Sequence, residues 1–123
     1  MQYSIRRSER YPIELTLINS DEAKPIDLTD ASIRYALKDE VKDDFYIIDR
    51  TIDENTDIIT DGGKITDATN GKVVIRFSED DFNLLVDERI YYLVIWWIVP
   101  DENFVKVISS NCGEYLEFKV CAI

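Results

Sequence analysis

Ile90-Tyr-Tyr-Leu-Val-Ile-Trp-Trp-Ile-Val99 is an unbroken run of ten apolar or aromatic residues. As a helix it would span about 15 Å, short of the roughly 20 residues a bilayer requires, so it is not a membrane-crossing helix. Its β-branched and aromatic content suits an extended strand. Successive strand side chains point to opposite faces, so Tyr91, Leu93, Ile95, Trp97 and Val99 share one side and Ile90, Tyr92, Val94, Trp96 and Ile98 the other. A strand in a two-layer sandwich needs only one apolar face. The second face requires a cover from a helix, a loop, or another molecule.

Outward from this run, the chain shows strand chemistry. Ile13, Leu15 and Leu17 alternate with Glu14, Thr16 and Ile18, and Ile33, Tyr35 and Leu37 alternate with Ser32, Arg34, Ala36 and Lys38. Pro12 and Pro25 mark strand edges. Phe45–Ile48 is a further short strand, and Asp49–Thr69, polar and acidic with a turn at Asp61-Gly62-Gly63, reads as a long irregular excursion. Asn70-Gly71 is a turn leading into a strand on which Val73, Ile75 and Phe77 face one way. Pairing back onto Lys64–Asp67 would make a hairpin. The helix signal is Ser78-Glu-Asp-Asp-Phe-Asn-Leu-Leu-Val86, with Ser78 as N-cap, three acidic residues in the first turn, and Phe82 and Leu85 on one side. Pro100–Asn103 and Asn111–Gly113 are turns around a strand from Phe104, and Leu116, Phe118 and Val120 alternate in a terminal strand. The expectation is one all-β domain over residues 1–123, an immunoglobulin-like antiparallel sandwich of about seven to nine strands with one short corner helix.

Composition narrows the function. Fourteen basic against 25 acidic residues and no histidine give a net charge of -11, which repels nucleic acid and anionic membranes. The N-terminal residues lack the apolar stretch of a secretory signal, so retention in a cytoplasm, or release by lysis, is expected. Cys112 and Cys121 lie too far apart along one strand for a disulfide and, without histidine, cannot build a standard zinc site. No Ser-His-Asp or Cys-His arrangement can form, and no glycine-rich phosphate loop occurs among four glycines. No enzyme activity and no cofactor are expected. Asp53-Glu-Asn55-Thr-Asp57 carries the first, third and fifth positions of a calcium loop, but Ile58 stands where glycine is needed and Lys64 where a glutamate should close the site.

The succession Pro25-Ile-Asp-Leu-Thr-Asp-Ala-Ser-Ile33, Asn70-Gly-Lys-Val-Val-Ile75, Ser78-Glu-Asp-Asp81, Tyr91-Tyr92, and Gly113 before Leu116-Glu-Phe-Lys-Val120 resembles the phage baseplate upper protein N-terminal domain family. It departs from that pattern at Asp30 and at Glu88-Arg89, where the family commonly has glycine. The resemblance implies an immunoglobulin-like virion module that docks tail, baseplate, neck or capsid-surface components by strand and face contacts, assembled in the bacterial host cytoplasm. Its partners would be other virion proteins and symmetric copies of itself. If Tyr91, Leu93, Ile95 and Trp97 face the core, as the family's alternation implies, then Tyr92, Val94, Trp96 and Ile98 form the interface. The bland counterpart is intramolecular cover by the Ser78–Val86 helix or the Asp49–Thr69 excursion. The functional counterpart is a host-recognition or carbohydrate-binding module in which Tyr92 and Trp96 stack on sugars.

Overall fold

A computed structural model describes residues 2–6, 12–19, 24–39, 46–99, 104–107 and 116–121. In chain order its elements are β1 (Gln2–Arg6), β2 (Ile13–Thr16), β3 (Ile18–Asn19), β4 (Lys24–Pro25), β5 (Ser32–Lys38), β6 (Tyr46–Ile52), β7 (Gly63–Asp67), β8 (Lys72–Ile75), α1 (Glu79–Asn83), β9 (Ile90–Val99), β10 (Phe104–Val107) and β11 (Leu116–Cys121), with a 3-10 turn at Ala68–Asn70. The turns expected at Pro100–Asn103 and Asn111–Gly113, together with Phe45 and Cys112, lie outside the described residues.

The strands form an all-β sandwich. One sheet runs β1-β11-β9-β5-β6, with β10 also paired to β9, and the facing sheet runs β2-β8-β7. The long apolar run is the centre of the first sheet because it alone is long enough to serve three neighbours. Residues 92–98 pair with β5 along one edge, while 90–93 and 96–99 pair with β11 and β10 along the other. All these pairings are antiparallel except β1 along β11, which is parallel. The expected seven to nine strands become eleven segments among the described residues. The additions include the two-residue ribbon β3-β4, too short to show any periodicity.

The core lies between the two sheets. Ile13 of β2, Ile65 of β7, and Val73 and Ile75 of β8 meet Ile33, Tyr35 and Leu37 of β5, Ile48 and Ile52 of β6, and Tyr91, Leu93 and Ile95 of β9. The alternation in the sequence is thus the alternation between core and outer face. The excursion expected over Asp49–Thr69 is shorter than its composition suggested. Asp49–Ile52 completes β6 and Gly63–Asp67 forms β7, leaving a loop over 53–62. Polar residues there alternate with Ile48, Ile52 and Ile65, and sheet pairing overrides the acidic composition. The β7–β8 hairpin forms where expected, its connection closed by Gly71 at φ 66. A Cβ at Gly71 would lie 2.6 Å from the Leu17 carbonyl oxygen, so the close approach of the chain leaving β2 also demands glycine.

Ser78 caps α1 as its sequence predicts. The Ser78 hydroxyl accepts from the Asp81 N–H at 3.2 Å and the Asp81 carboxylate accepts from the Ser78 N–H at 2.7 Å, a reciprocal capping box. Phe82 and Leu85 are buried in the inter-sheet core, where Phe82 meets Phe77 edge to face. The helix therefore closes the corner of the sandwich.

Candidate functional site

Residues of β9 divide by parity as the alternation requires. Tyr91, Leu93 and Ile95 are buried in the core and Trp97 packs against it. Tyr92, Val94, Trp96 and Ile98 occupy the outer face. Three of these four, Tyr92, Trp96 and Ile98, are half-buried, whereas Val94 is only 3% exposed.

Register explains that difference. Across β5, Val94 stands opposite Ala36, Trp96 opposite Arg34, Tyr92 opposite Lys38, and Ile98 opposite Ser32. Ala36 is the smallest side chain of the row and is fully buried. Lys38 on one side of the Ala36–Val94 pair is itself buried, and Arg34 on the other is half-buried. Arg34 places its guanidinium 4.6 Å from the centre of the Trp96 ring and 5.4 Å from that of Tyr46. Tyr46 meets Trp96 edge to face at 5.7 Å, and the Lys38 ammonium lies 5.5 Å from the Tyr46 ring. A shift in the β5–β6 register between Leu37 and Lys38 brings Tyr46 opposite Lys38 on this face.

Asp49 completes the cluster. Its carboxylate accepts two hydrogen bonds from Arg34, 2.9 Å from Nε and 2.7 Å from Nη2, the bidentate geometry of a guanidinium and a carboxylate. Those bonds hold the Asp49 carboxyl below its ordinary range against a smaller opposing effect of burial, and they raise Arg34. The pair is about one third exposed on each side. It fixes the guanidinium plane over the indole.

Neither of the covers expected from within the chain lies over this face. The hydrophobic side of α1 faces the inter-sheet core. The 53–62 loop is pinned to the edge of β7, where the Ile65 N–H donates to the Asp53 carbonyl and the Thr56 hydroxyl to the Gly63 carbonyl. Partial cover comes instead from Arg34, Lys38 and Tyr46. Sequence alternation placed Arg34 and Lys38 on the polar side of β5. Their contact with Trp96 depends on strand register, which no local pattern reveals.

A second polar cluster ties the six-stranded sheet to the 53–62 loop and to α1. The buried Tyr35 hydroxyl donates to the Gly62 carbonyl at 2.7 Å and accepts from Arg50 at 3.4 Å. Arg50 also donates to Asp81 at 2.6 Å. Burial pushes the Tyr35 hydroxyl up, with Arg50 partly opposing it. Burial alone would raise the Asp81 carboxyl, but hydrogen bonds from Arg50 and Ser78 outweigh it and hold the group below its ordinary range. The Tyr35 hydroxyl, both carboxylate oxygens of Asp81 and both terminal nitrogens of Arg50 have partners here, and the cluster ties β5, β6, the 53–62 loop and α1 together.

The acidic loop makes local turns. Asp53 accepts from the Asn55 and Thr56 N–H groups, and Asp57 accepts from those of Ile59 and Thr60. An open cleft of about 330 Å³ lies between this loop and the end of the preceding turn, lined by Asp30, Ala31, Ser32, Asp53, Glu54 and Asn55. Among the described residues no group of three or more acidic or cysteine side chains is placed to hold a metal ion, and no helix is long and apolar enough to cross a membrane. The chain matches no family model and no curated protein.

Proposed function

We propose that the chain is a non-enzymatic structural or assembly protein of a phage particle. It would be an immunoglobulin-like module that docks on tail, baseplate, neck or capsid-surface proteins, and on copies of itself, through the outer face of its six-stranded sheet. The observation that carries this reading is the half-buried row Tyr92, Trp96 and Ile98 on the central strand, held between neighbouring strands. Aromatic side chains on a rigid element give contact area with little ordering cost, and Trp and Tyr are the residues most often found at binding hot spots. Val94 supports that surface from beneath.

Three features support the immunoglobulin-like assignment. The order β11-β9-β5-β6 against β2-β8-β7 has the arrangement of a variable-type immunoglobulin sandwich, with its G, F, C and C′ strands facing B, E and D. The Tyr91 hydroxyl hydrogen-bonds to backbone at the corner before β9, as the tyrosine corner of such sandwiches does. Asp30 and Glu88, which stand where the resembled phage family commonly has glycine at or beside the position, are the non-glycine residues with positive φ among those described, at 58° and 67°. Left-handed backbone there suits glycine in relatives that keep the same turns.

Sedimentation and light scattering of the wild type and of Trp96→Asp test the proposal. The expected result is an oligomer for the wild type and a folded monomer for the variant, together with loss of its incorporation into particles. A wild type that stays monomeric and enters no particle overturns the proposal. So does a monomer whose tryptophan fluorescence is quenched by glycans, which would make the face a carbohydrate site. The Arg34 guanidinium already covers one face of the Trp96 ring.

A further inference from the structure

Asn70 is the only asparagine of the chain that precedes a glycine. The pair closes the β7–β8 hairpin, and it carries a chemistry that the turn itself does not use. The backbone nitrogen after an asparagine can attack the side-chain amide carbon, one reason asparagine is among the thermolabile residues. Glycine, lacking a Cβ, leaves that nitrogen least hindered.

The closed hairpin holds the reacting atoms apart. Asn70 ends the 3-10 turn at Ala68–Asn70. With ψ at about −20 to −30° in such a turn, the following nitrogen lies beside the residue's own nitrogen and away from its side chain. The Gly71 N–H donates to the Ala68 carbonyl at 3.1 Å, and the Gly71 carbonyl accepts from the Leu17 N–H at 2.8 Å. Gly71 is thus tied at both ends. It is also buried, with the Leu17 and Ile26 carbonyl oxygens 2.6 and 2.9 Å from where a Cβ would stand. The side chain of Asn70 is anchored as well. Its Nδ2 donates to the Asp67 carboxylate at 2.9 Å, although the residue is exposed to water.

We propose that Asn70 is a self-modification site gated by opening of this hairpin turn. When Gly71 lets go of Ala68 and Leu17, its nitrogen bonds to Asn70 Cγ and the Cγ–Nδ2 bond breaks. Ammonia leaves with the proton that the Gly71 nitrogen gives up. Water then opens either carbonyl of the succinimide, giving aspartate or an isoaspartate whose backbone runs through the former side chain. Water is the sole co-reactant. Neither product fits the closed turn. Aspartate at 70 replaces the donor facing Asp67 with a second carboxylate. Isoaspartate lengthens the backbone immediately before a glycine boxed in by the chain at 17 and 26. Each opening therefore exposes the chain to a one-way loss of the contact between the hairpin and the segment leaving β2. The turn belongs to the three-stranded sheet, so the reaction does not depend on assembly through Trp96.

The test follows the full chain at mildly alkaline pH, folded and in denaturant, by digestion and mass spectrometry of the peptide containing Asn70. In denaturant Asn70 should convert ahead of every other asparagine, and in the folded chain its conversion should be about tenfold slower or more. Asp67→Ala frees the Asn70 amide. It should speed conversion of the folded chain several-fold and leave the denatured rate unchanged, because Asp67 does not adjoin the reacting pair. The converted fraction, separated by its added negative charge, should melt below the unmodified chain. Equal rates in the folded and denatured wild type, a folded Asp67→Ala rate no faster than wild type, or a converted fraction that melts with the unmodified chain would overturn the proposal. Circular dichroism establishes that Asp67→Ala is folded, and the wild-type comparison stands without that variant.

Discussion

The Tyr91 hydroxyl accepts a hydrogen bond from the Val86 backbone N–H at 2.7 Å. Tyr91 is the first core-facing residue of β9, and its ring is 2% exposed beneath the corner that α1 makes. The bond thus joins the start of the central strand to the connection leading into it. Tyr91→Phe keeps the ring and removes the acceptor, leaving the Val86 N–H short of a partner. The expected loss is about 1 to 2 kcal/mol, or about 4 to 8 °C in Tm for a domain of this size. Thermal unfolding of the variant checks it, and an unchanged Tm would mean that water replaces the hydroxyl.

Arg50 and Asp81 predict how stability responds to acid. The Asp81 carboxyl in the folded protein titrates below its ordinary value of 3.8. Its contribution is therefore fully present above that ordinary value and is lost as pH falls through the lower folded value. Asp81→Asn removes this dependence. At neutral pH it should cost about 2 kcal/mol, below the range for a fully buried pair because Arg50 keeps some access to water. Denaturant unfolding at neutral pH and near pH 3 should show the gap between wild type and variant narrowing in acid. A gap independent of pH would place the contribution of Asp81 in packing.

Much of this architecture is legible in the residues. The parity of Ile90–Val99 separates core from outer face, and Ser78 with Phe82 and Leu85 marks α1 and its buried side. The 53–62 loop was harder to delimit, because Asp49–Ile52 and Gly63–Asp67 are strands of mixed polar composition whose pairing partners lie far along the chain. The partial cover over Trp96 was least legible. Arg34 and Tyr46 reach it only because β5 lies between β6 and β9 with a shifted register at Leu37/Lys38, a relationship among three strands. Val94 belongs by parity to the outer row, but it is buried there opposite the equally buried Ala36.

Asp30 and Glu88 share a left-handed backbone but should respond differently to glycine. Aspartate tolerates positive φ better than glutamate because its short side chain can bond locally. Asp30→Gly should therefore change stability little. Glu88→Gly should relieve backbone strain and raise stability by about 0.5 to 1 kcal/mol. Paired denaturant curves measure the contrast. A loss on Glu88→Gly would show that the contacts of the Glu88 side chain outweigh the strain of its backbone.

Arg34 links the stability of the outer sheet face to the environment of its tryptophan. Arg34→Ala removes the cation over Trp96 and Tyr46 and leaves Asp49 without its bidentate partner. Because the ion pair is about one third open to solvent, the loss should be modest, about 1 kcal/mol from the cation–π contact and the pair together. The optical effect should be clearer. With the guanidinium gone, Trp96 gains water on one ring face, and the tryptophan emission should shift to the red without unfolding. The double variant Arg34→Ala with Trp96→Phe isolates the source of that shift, since Trp97 packs on the core side. Its emission should match that of Trp96→Phe alone; a shift that persists would assign it to Trp97 and to a rearrangement reaching through the sheet.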